Sequence, residues 1–149
     1  MISNKFVRRK ITLIQNELSQ LEPFRDLTLD NVASDFIKQA AVERIFERVV
    51  MRALDVNSHL IGELAEKKTS PPLNYRETFT KLCEFSIYSK EFGQEISKSV
   101  GTRNVLVHEY DEVDYTKVYI KISDFLNDYR QYCQHLLDFL MSRRVLAGD

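Results

Sequence analysis

One short stretch of the chain concentrates side chains that can carry out chemistry on a phosphate. Within residues 101–110 stand an arginine, an amide, an imidazole, a carboxylate and a phenol, namely Arg103, Asn104, His108, Glu109 and Tyr110. An imidazole exchanges protons near neutral pH, and a guanidinium stays charged and matches a phosphate through two parallel hydrogen bonds. These two groups suffice for metal-free cleavage of RNA, in which the substrate's own 2′-hydroxyl attacks the neighbouring phosphate.

The spacing of Arg103 and His108 poses a geometric difficulty. Five positions on an ideal helix turn about 140° around its axis, so the two side chains do not share a face. The long Arg103 side chain can curl toward the end of its helix, and we expect His108 to lie where that helix frays into the turn at residues 110–112. Both side chains would then border one groove. The alternative is that the pair only caps a helix end.

Each of the neighbouring polar residues has either a functional or a structural interpretation. Asn104 either binds a phosphate or holds His108 in position, or it only caps the end of its helix. Glu109 either orients the imidazole or is a solvated carboxylate. The other two histidines, His59 and His135, lie on predicted helices beside apolar residues, and we expect them to be structural.

Metal and disulfide sites find little support in the sequence. The three histidines lack a ligand spacing such as His-x3-His, and the acidic residues 111–114 are interpreted as a loop and a helix cap. We therefore expect no metal site and no cofactor. Cys83 and Cys133 lie 50 positions apart without a CxxC motif, which is typical of two reduced, buried thiols.

Composition and charge exclude several classes of protein. A chain of 149 residues, 44% hydrophobic and 29% charged, fits one globular domain over residues 1–149. No apolar run approaches the roughly 20 residues of a membrane helix, and the first residues do not form a secretory signal, so we expect a cytoplasmic protein with no membrane contact. The net charge of −1 excludes a binder of nucleic acid that relies on a global basic field.

Any contact with RNA must therefore rest on local groups. Three basic clusters are interpreted as solvated faces, with the guidance of RNA as the alternative: Arg8-Arg9-Lys10, Lys67-Lys68 and Arg143-Arg144. The tyrosines near the end of the chain could stack on bases, but their spacing follows an apolar stripe and predicts core positions: Tyr115, Tyr119, Tyr129 and Tyr132.

The elements that must position these groups are helices. Apolar residues step by three and four along the first helix, which Pro23 ends: Val7, Ile11, Ile14, Leu18 and Leu21. A second, long helix is predicted from about Val32 to Ile61 and on to Lys67, capped by Asp30 or Asn31. Its apolar residues spread over more than one face, which indicates a central helix or one that packs on a second subunit.

Three further helices follow a break at residues 67–72. Asn74 and Glu77 form the pattern of a capping box that opens a short helix. A fourth helix is predicted over residues 90–107, and the last one begins near Asp114 and carries an apolar stripe to Phe139. No segment alternates with period two. The sequence therefore predicts an all-α, single-domain, up-and-down bundle of about five helices.

The extended pattern around the arginine and histidine resembles a known family. Gly-x-Arg-Asn-x-Leu-Val-His-x-Tyr follows a Tyr-Arg-Glu-x-Phe helix and precedes Val-Asp-Tyr-x-x-Val-Tyr, and this order is similar to the HepT-like toxins of the HEPN superfamily. Arg103, His108 and Tyr110 match the Arg-x4-His-x-Tyr motif of those toxins. The resemblance extends to the long second helix and covers nearly the full chain.

This resemblance implies a HEPN-like fold and a metal-independent ribonuclease toxin of a type VII-like toxin–antitoxin system. It implies a homodimer in which two Arg103/His108 pairs face one cleft, with Asn104 in support. The implied partner is a minimal nucleotidyltransferase (MntA-like) antitoxin that transfers AMP from ATP to Tyr110. Two alternatives remain: a non-catalytic helical dimer that binds and is modified by such a partner, and a purely structural interaction module.

Overall fold

Six α-helices make up most of the computed structural model, which describes residues 1–108 and 120–146, with the backbone alone for residues 29, 106–108 and 144–146. The helices are α1 (Asn4–Leu21), α2 (Leu29–Ala33), α3 (Phe36–Leu64), α4 (Tyr75–Lys81), α5 (Lys90–His108) and α6 (Ile122–Leu146). Short 3-10 turns follow α1 and α4, at Glu22–Phe24 and Leu82–Phe85. The described residues contain no strand, and the predicted all-α class is confirmed.

Helix α1 forms as its sequence predicts. The five residues of its apolar stripe are all buried: Val7, Ile11, Ile14, Leu18 and Leu21. The hydroxyl of Ser3 caps its start by accepting a hydrogen bond from the Phe6 N–H at 3.2 Å. The α-helix ends at Leu21 and gives way to the 3-10 turn that contains Pro23.

The start of the long helix differs from the prediction. Neither Asp30 nor Asn31 caps it, because both lie inside the short extra helix α2, whose cap is Thr28. The cap of α3 is Asp35, whose carboxylate accepts hydrogen bonds from the backbone of Ile37 and of the next residue. A side chain that binds the N–H groups ahead of it starts a new helix there, and this divides the predicted continuous segment in two.

Among the other predicted helix boundaries, the start of α4 is confirmed, while the end of α3 and the start of α6 differ from the prediction. Asn74 accepts from the Glu77 N–H at 3.0 Å and Glu77 accepts from the N–H of Leu73, so the predicted cap of α4 is confirmed. Helix α3 stops at Leu64 and does not reach Lys67, because Ala65 is extended. Helix α6 begins at Ile122, since residues 120 and 121 are not helical; the predicted start near Asp114 lies outside the described residues.

Helix α3 runs antiparallel to α1 along one polar edge. Lys10 Nζ lies 2.8 Å from Asp55 Oδ2, and Arg52 Nη1 donates to Glu17 Oε1 at 3.0 Å. Residues later in α1 thus contact residues earlier in α3, which shows that the two helices are antiparallel. The start of α1 lies beside the end of α3.

Helix α6 runs parallel to α3 and shares its core. The ring of Phe125 stacks on that of Phe46 with centroids 4.0 Å apart. One to two turns later, the Tyr132 hydroxyl donates to Asn57 Oδ1 at 2.6 Å. Both tyrosines of the described part of the predicted stripe, Tyr129 and Tyr132, are fully buried, which confirms their core positions.

Helix α5 runs antiparallel to α6. Phe92, near its start, packs edge-on against His135, and Ser99 further along shares a hydrogen bond of 2.7 Å with Tyr129. The four long helices α1, α3, α5 and α6 thus alternate in direction along the chain, and the predicted up-and-down bundle is confirmed. The same order places the end of α5 at the end of the bundle where α3 and α6 begin.

A buried polar network joins α3, α4 and α6. Asn57 is fully buried; its amide donates to Thr78 Oγ1 at 3.1 Å and its oxygen accepts from Tyr132. Buried polar groups of this kind stabilise a fold only while each has its partner. The Tyr132 hydroxyl also lies 3.2 Å from the carbonyl oxygen of Ala53, so one phenol serves two acceptors on α3.

We expect Tyr132→Phe to lower the free energy of unfolding by about 1–3 kcal/mol, because it leaves the Asn57 oxygen buried without its donor. Urea unfolding followed by circular dichroism measures the change. Tyr75→Phe is the matched control, since Tyr75 is 55% exposed and its loss should change stability by less than about 0.5 kcal/mol. Equal midpoints for the two variants would show that the network contributes nothing.

Candidate active site

Helix α5 carries three of the predicted site residues, Arg103, Asn104 and His108. It spans 19 residues without interruption, through Gly93 and Gly101, and confirms the predicted helix over 90–107. His108 is helical and is the last residue of α5 that the structure describes, so the turn expected at residues 110–112 lies outside the described residues. The side chain of His108, and Glu109 and Tyr110 entirely, lie outside the described part of the chain.

The last two turns of α5 before Arg103 are fixed by burial against the core. Ile96, Ser99 and Thr102 are fully buried, and Val100 is 2% exposed. The Ser99 hydroxyl lies 2.7 Å from the Ile96 carbonyl oxygen and 2.7 Å from the Tyr129 hydroxyl. Packing of this kind holds the backbone of Arg103 in one place, which is what a group that must meet a phosphate requires.

Arg103 is half-buried and is left with free hydrogen-bonding capacity. Its Nη1 donates to Asn104 Oδ1 at 3.3 Å, while its Nε is buried and has no hydrogen-bond partner among the described residues. A guanidinium has five N–H donors, and a buried donor without an acceptor is unfavourable. A phosphate oxygen is an acceptor that suits this group.

Asn104 is exposed, and its side chain accepts the hydrogen bond from Arg103. It does not cap the helix end, because α5 runs four residues beyond it. This contact orients the guanidinium. The predictions that Asn104 positions His108 and that Arg103 and His108 border one groove stay predictions, since the imidazole is outside the described side chains.

Asp128 is a buried carboxyl that the sequence did not single out. It lies on α6, is 8% exposed, and its Oδ2 is buried with no hydrogen-bond partner among the described residues. Burial raises its pKa to about 6, and the charges of Glu95 and Asp124 add to that shift while Lys98 opposes it. The sequence feature that could have identified Asp128 is its position directly before Tyr129, among the apolar positions of α6.

We expect Asp128→Asn to raise the free energy of unfolding at pH 7.5 by about 1–2 kcal/mol. The folded pKa lies above the ordinary 3.8, so the ionised form destabilises the fold above pH 6, and this effect fades as the pH falls toward 4. The stability gap between variant and wild type should therefore narrow markedly between pH 7.5 and pH 4.5. Urea unfolding at both pH values measures it, with the exposed Asp138→Asn as control. A variant less stable than wild type at pH 7.5 would contradict this account.

The other two histidines make structural contacts. His59 Nε2 accepts the backbone N–H of Ser3 at 3.0 Å and so ties the start of α1 to α3. His135 packs against the rings of Phe92 and Tyr88. Within the described ranges, no three His, Cys, Asp or Glu side chains are grouped as a metal site would require.

Neither described cysteine forms a disulfide. Cys133 is buried, and burial raises the pKa of its thiol to about 12. Cys83 is half-buried and donates to the carbonyl of Ser89 at 3.3 Å. In the part of the chain that is described, no helix combines the length and the apolar character needed to cross a membrane.

The sequence as a whole matches known proteins. The family model for ribonuclease HepT-like proteins matches residues 14–136. The tRNA nuclease HepT of Aphanizomenon flos-aquae is 32% identical over 136 residues, which are 91% of this chain and 90% of that protein. The mRNA nuclease HepT of Shewanella oneidensis is 26% identical over 98 residues, covering 66% of this chain and 71% of the relative.

Solved structures share the fold. A toxin–antitoxin crystal structure with AMP-PNP superposes with a TM-score of 0.75 at 21% identity, over 91% of this chain and 99% of that one. A tri-AMPylated Shewanella oneidensis HEPN toxin in complex with MNT antitoxin gives 0.74, with the same identity and coverage. The cytosolic protein YutE of Bacillus subtilis, of unknown function, gives 0.78 at 16% identity, over 95% and 93% of the two chains.

At these identities the solved structures show the fold alone. The family match, in contrast, spans most of the chain and includes Arg103 and His108, and a relative above 30% identity covers nine-tenths of both sequences. The chain belongs to the HepT-like ribonuclease family.

Proposed function

We propose that this chain is a metal-independent endoribonuclease, the toxin of a type VII-like toxin–antitoxin pair. The observation that carries the proposal is Arg103: it lies on a helix anchored in the core, and its guanidinium is half-buried with an Nε that lacks a partner among the described residues. A half-buried cation with an unused, buried donor suits a phosphodiester. The family match over residues 14–136 and the two nuclease relatives support RNA as the substrate.

In the proposed mechanism Arg103 binds the scissile phosphate and stabilises the charge that grows on it in the transition state. His108 takes the proton from the 2′-hydroxyl, whose oxygen attacks phosphorus. The bond from phosphorus to the 5′-oxygen breaks, and that oxygen receives a proton from a second imidazole or from His108 itself. The products are a cyclic 2′,3′-phosphate and a 5′-hydroxyl. DNA lacks the attacking hydroxyl and is not cut.

A homodimer gives this chemistry its geometry. Arg103 and His108 are separated by about 140° around α5, so the site is best completed by groups from two copies in one cleft. The exposed apolar residues Phe36 and Ile37, 83% and 77% exposed at the start of α3, support such an assembly. They lie at the end of the bundle where α5 also ends.

The proposed partner is a minimal nucleotidyltransferase antitoxin that transfers AMP from ATP to Tyr110. Support comes from the folds of the solved toxin–antitoxin with AMP-PNP and of the tri-AMPylated toxin bound to its MNT antitoxin. An AMP group on Tyr110 would place a phosphate charge two residues from His108 and compete with substrate for Arg103. Modification would thus switch the nuclease off.

Incubation of the purified protein with cellular RNA in EDTA tests the proposal. Cleavage that yields cyclic 2′,3′-phosphate ends is the expected result. Activity that EDTA abolishes and Mg²⁺ restores would overturn metal independence. Intact RNA in both conditions, together with AMP transfer by the neighbouring nucleotidyltransferase, would instead favour a non-catalytic dimer that is modified by its partner.

A further inference from the structure

Three basic segments that are far apart in the sequence meet at one end of the bundle. Because α1 is antiparallel to α3, the first turns of α1 lie beside the end of α3, where Ser3 bonds His59 and the N-terminal ammonium pairs with Glu63. The cations of these segments define the basic pole: Lys5, Arg8, Arg9, Lys67, Lys68 and Arg143.

The other two segments reach the same end. Lys67 and Lys68 follow the last residue of α3 by three and four positions, which limits their distance from it to about 14 Å. Helix α6 is parallel to α3 and pairs Tyr132 with Asn57. Arg143 stands three turns beyond Tyr132 and so lies level with the end of α3.

The cations of the basic pole are accessible to solvent and form no ion pair with a carboxylate of the described residues. Five of the six are exposed and Arg8 is half-buried. None of the six has an acidic group within 4.0 Å among the described residues. At the same end Asp55 and Glu63 pair with Lys10 and the N-terminus, and Glu66, directly before Lys67, offsets one of the six charges. In the other half of the molecule most described cations are paired, as Lys38, Arg44 and Arg130 are.

We propose that the basic pole is a second RNA-binding surface, which holds the backbone of a long or folded RNA away from the site on α5; this inference rests on the proposed ribonuclease function. A protein with a net charge of −1 has no overall attraction for a polyanion, so binding requires cations that are gathered in one place. Unpaired lysines and arginines from three elements supply such a place. Contacts of this kind recognise phosphates and not bases.

The distance between the two surfaces sets the size of RNA that can use both. The 29 residues of α3 span about 40 Å, and the basic pole lies at its end while α5 ends near its start. At about 3.4 Å for each stacked nucleotide, this is the length of roughly 12 nucleotides. A pentanucleotide that occupies the site on α5 cannot touch the basic pole, but a transfer RNA can.

The test compares two triple variants that lose the same three charges. Arg8→Gln/Arg9→Gln/Lys68→Gln alters the basic pole, and Lys38→Gln/Arg44→Gln/Arg130→Gln alters exposed cations that face carboxylates elsewhere. Affinity for a transfer RNA transcript is measured by filter binding over a series of salt concentrations, on the full chain with His108→Ala to prevent cleavage. Cleavage of the transcript and of a pentanucleotide is measured without that change.

We expect the pole variant to bind the transcript about tenfold more weakly at low salt, with a salt slope smaller by roughly 2, and the control to change less than twofold. In cleavage, the KM for the transcript should rise while kcat/KM for the pentanucleotide stays at the wild-type value. Equal weakening by both variants, or wild-type affinity of the pole variant, overturns the inference. Binding by the pole without any cleavage by the wild type would reject the nuclease proposal and leave the surface standing.

Discussion

His108→Ala and Arg103→Ala are each expected to lower the rate of RNA cleavage by about 100- to 10,000-fold. Loss of a general base or acid typically removes 10²–10⁴ in rate, and loss of one donor to a developing oxyanion removes 10²–10³. The fall should appear in kcat, because both groups act most strongly on the transition state. Single-turnover cleavage of a labelled RNA in EDTA measures it.

The stability of Arg103→Ala distinguishes chemistry from structure. Its Nε has no hydrogen-bond partner among the described residues, so removing the guanidinium leaves no buried acceptor without a donor. We expect an unfolding midpoint in urea within about 0.5 kcal/mol of wild type and an unchanged mass in solution. A variant that loses cleavage only because it unfolds or dissociates would contradict the catalytic role.

Two further substitutions sharpen the result. Arg103→Lys keeps the charge but not the planar fork of donors, and an intermediate loss would show that two-point contact with the phosphate matters. Arg76→Ala removes an exposed arginine from α4 and should leave cleavage unchanged. If Arg76→Ala and Arg103→Ala lower the rate equally, the effect is one of general charge and the assignment of Arg103 fails.

Mixing the two inactive proteins tests whether the site is shared between copies. A dimer of one Arg103→Ala and one His108→Ala protomer still holds one intact arginine and one intact histidine, on opposite chains. Exchange of protomers should therefore restore cleavage if a phosphate is served by both copies. Continued inactivity of the mixture would place each working pair within a single chain.

The sequence predicts the helical core well because that part depends on local spacing. In α1 the burial of residues such as Ile11 and Leu18 follows from a 3.6-residue period, and Asn74 caps α4 because Glu77 stands three positions later. The break before α3 was missed, since several polar residues there can cap a helix. The choice of Asp35 depends on which N–H groups tertiary packing leaves free.

In the candidate site, too, features that depend on local sequence can be predicted and features that depend on tertiary packing cannot. The types and spacing of Arg103 and His108 are local features of the sequence, and they predict the chemistry of the site. The partner of Arg103, the orphan Nε and the burial of Asp128 depend on how α5 packs against α6, which no local pattern encodes. The basic pole is the extreme case: its segments are separated by more than 50 residues, and only the directions of the helices bring Arg9 and Arg143 to one end.

Tyr110→Phe is expected to abolish AMP transfer to the chain and to leave cleavage active in the presence of the antitoxin and ATP. Wild-type protein co-expressed with the neighbouring nucleotidyltransferase should gain mass in whole AMP units of about 330 Da, each with a phosphodiester charge. Phenylalanine lacks the hydroxyl that attacks the α-phosphate of ATP and releases pyrophosphate. Intact mass spectrometry and RNA cleavage of the same samples measure both effects.

The burial of the other tyrosines narrows the choice of acceptor. Of the seven tyrosines, Tyr88, Tyr129 and Tyr132 are at most 7% exposed, and burial raises the pKa of each hydroxyl. A nucleotidyltransferase cannot reach them in the folded chain. Among the four tyrosines of the described ranges this leaves Tyr75, which is 55% exposed and serves as the matched control.

Tyr75→Phe should be modified as fully as wild type, because Tyr75 begins α4 and lies outside the motif that surrounds His108. If Tyr110→Phe still gains AMP while Tyr75→Phe does not, the acceptor is at the start of α4 and the proposed block of Arg103 by the added phosphate is wrong. If only Tyr110→Phe escapes modification and stays active, the antitoxin acts through the charge it places beside the imidazole. Inhibition of an unmodified Tyr110→Phe protein by the antitoxin alone would instead show that binding, and not AMP transfer, closes the cleft.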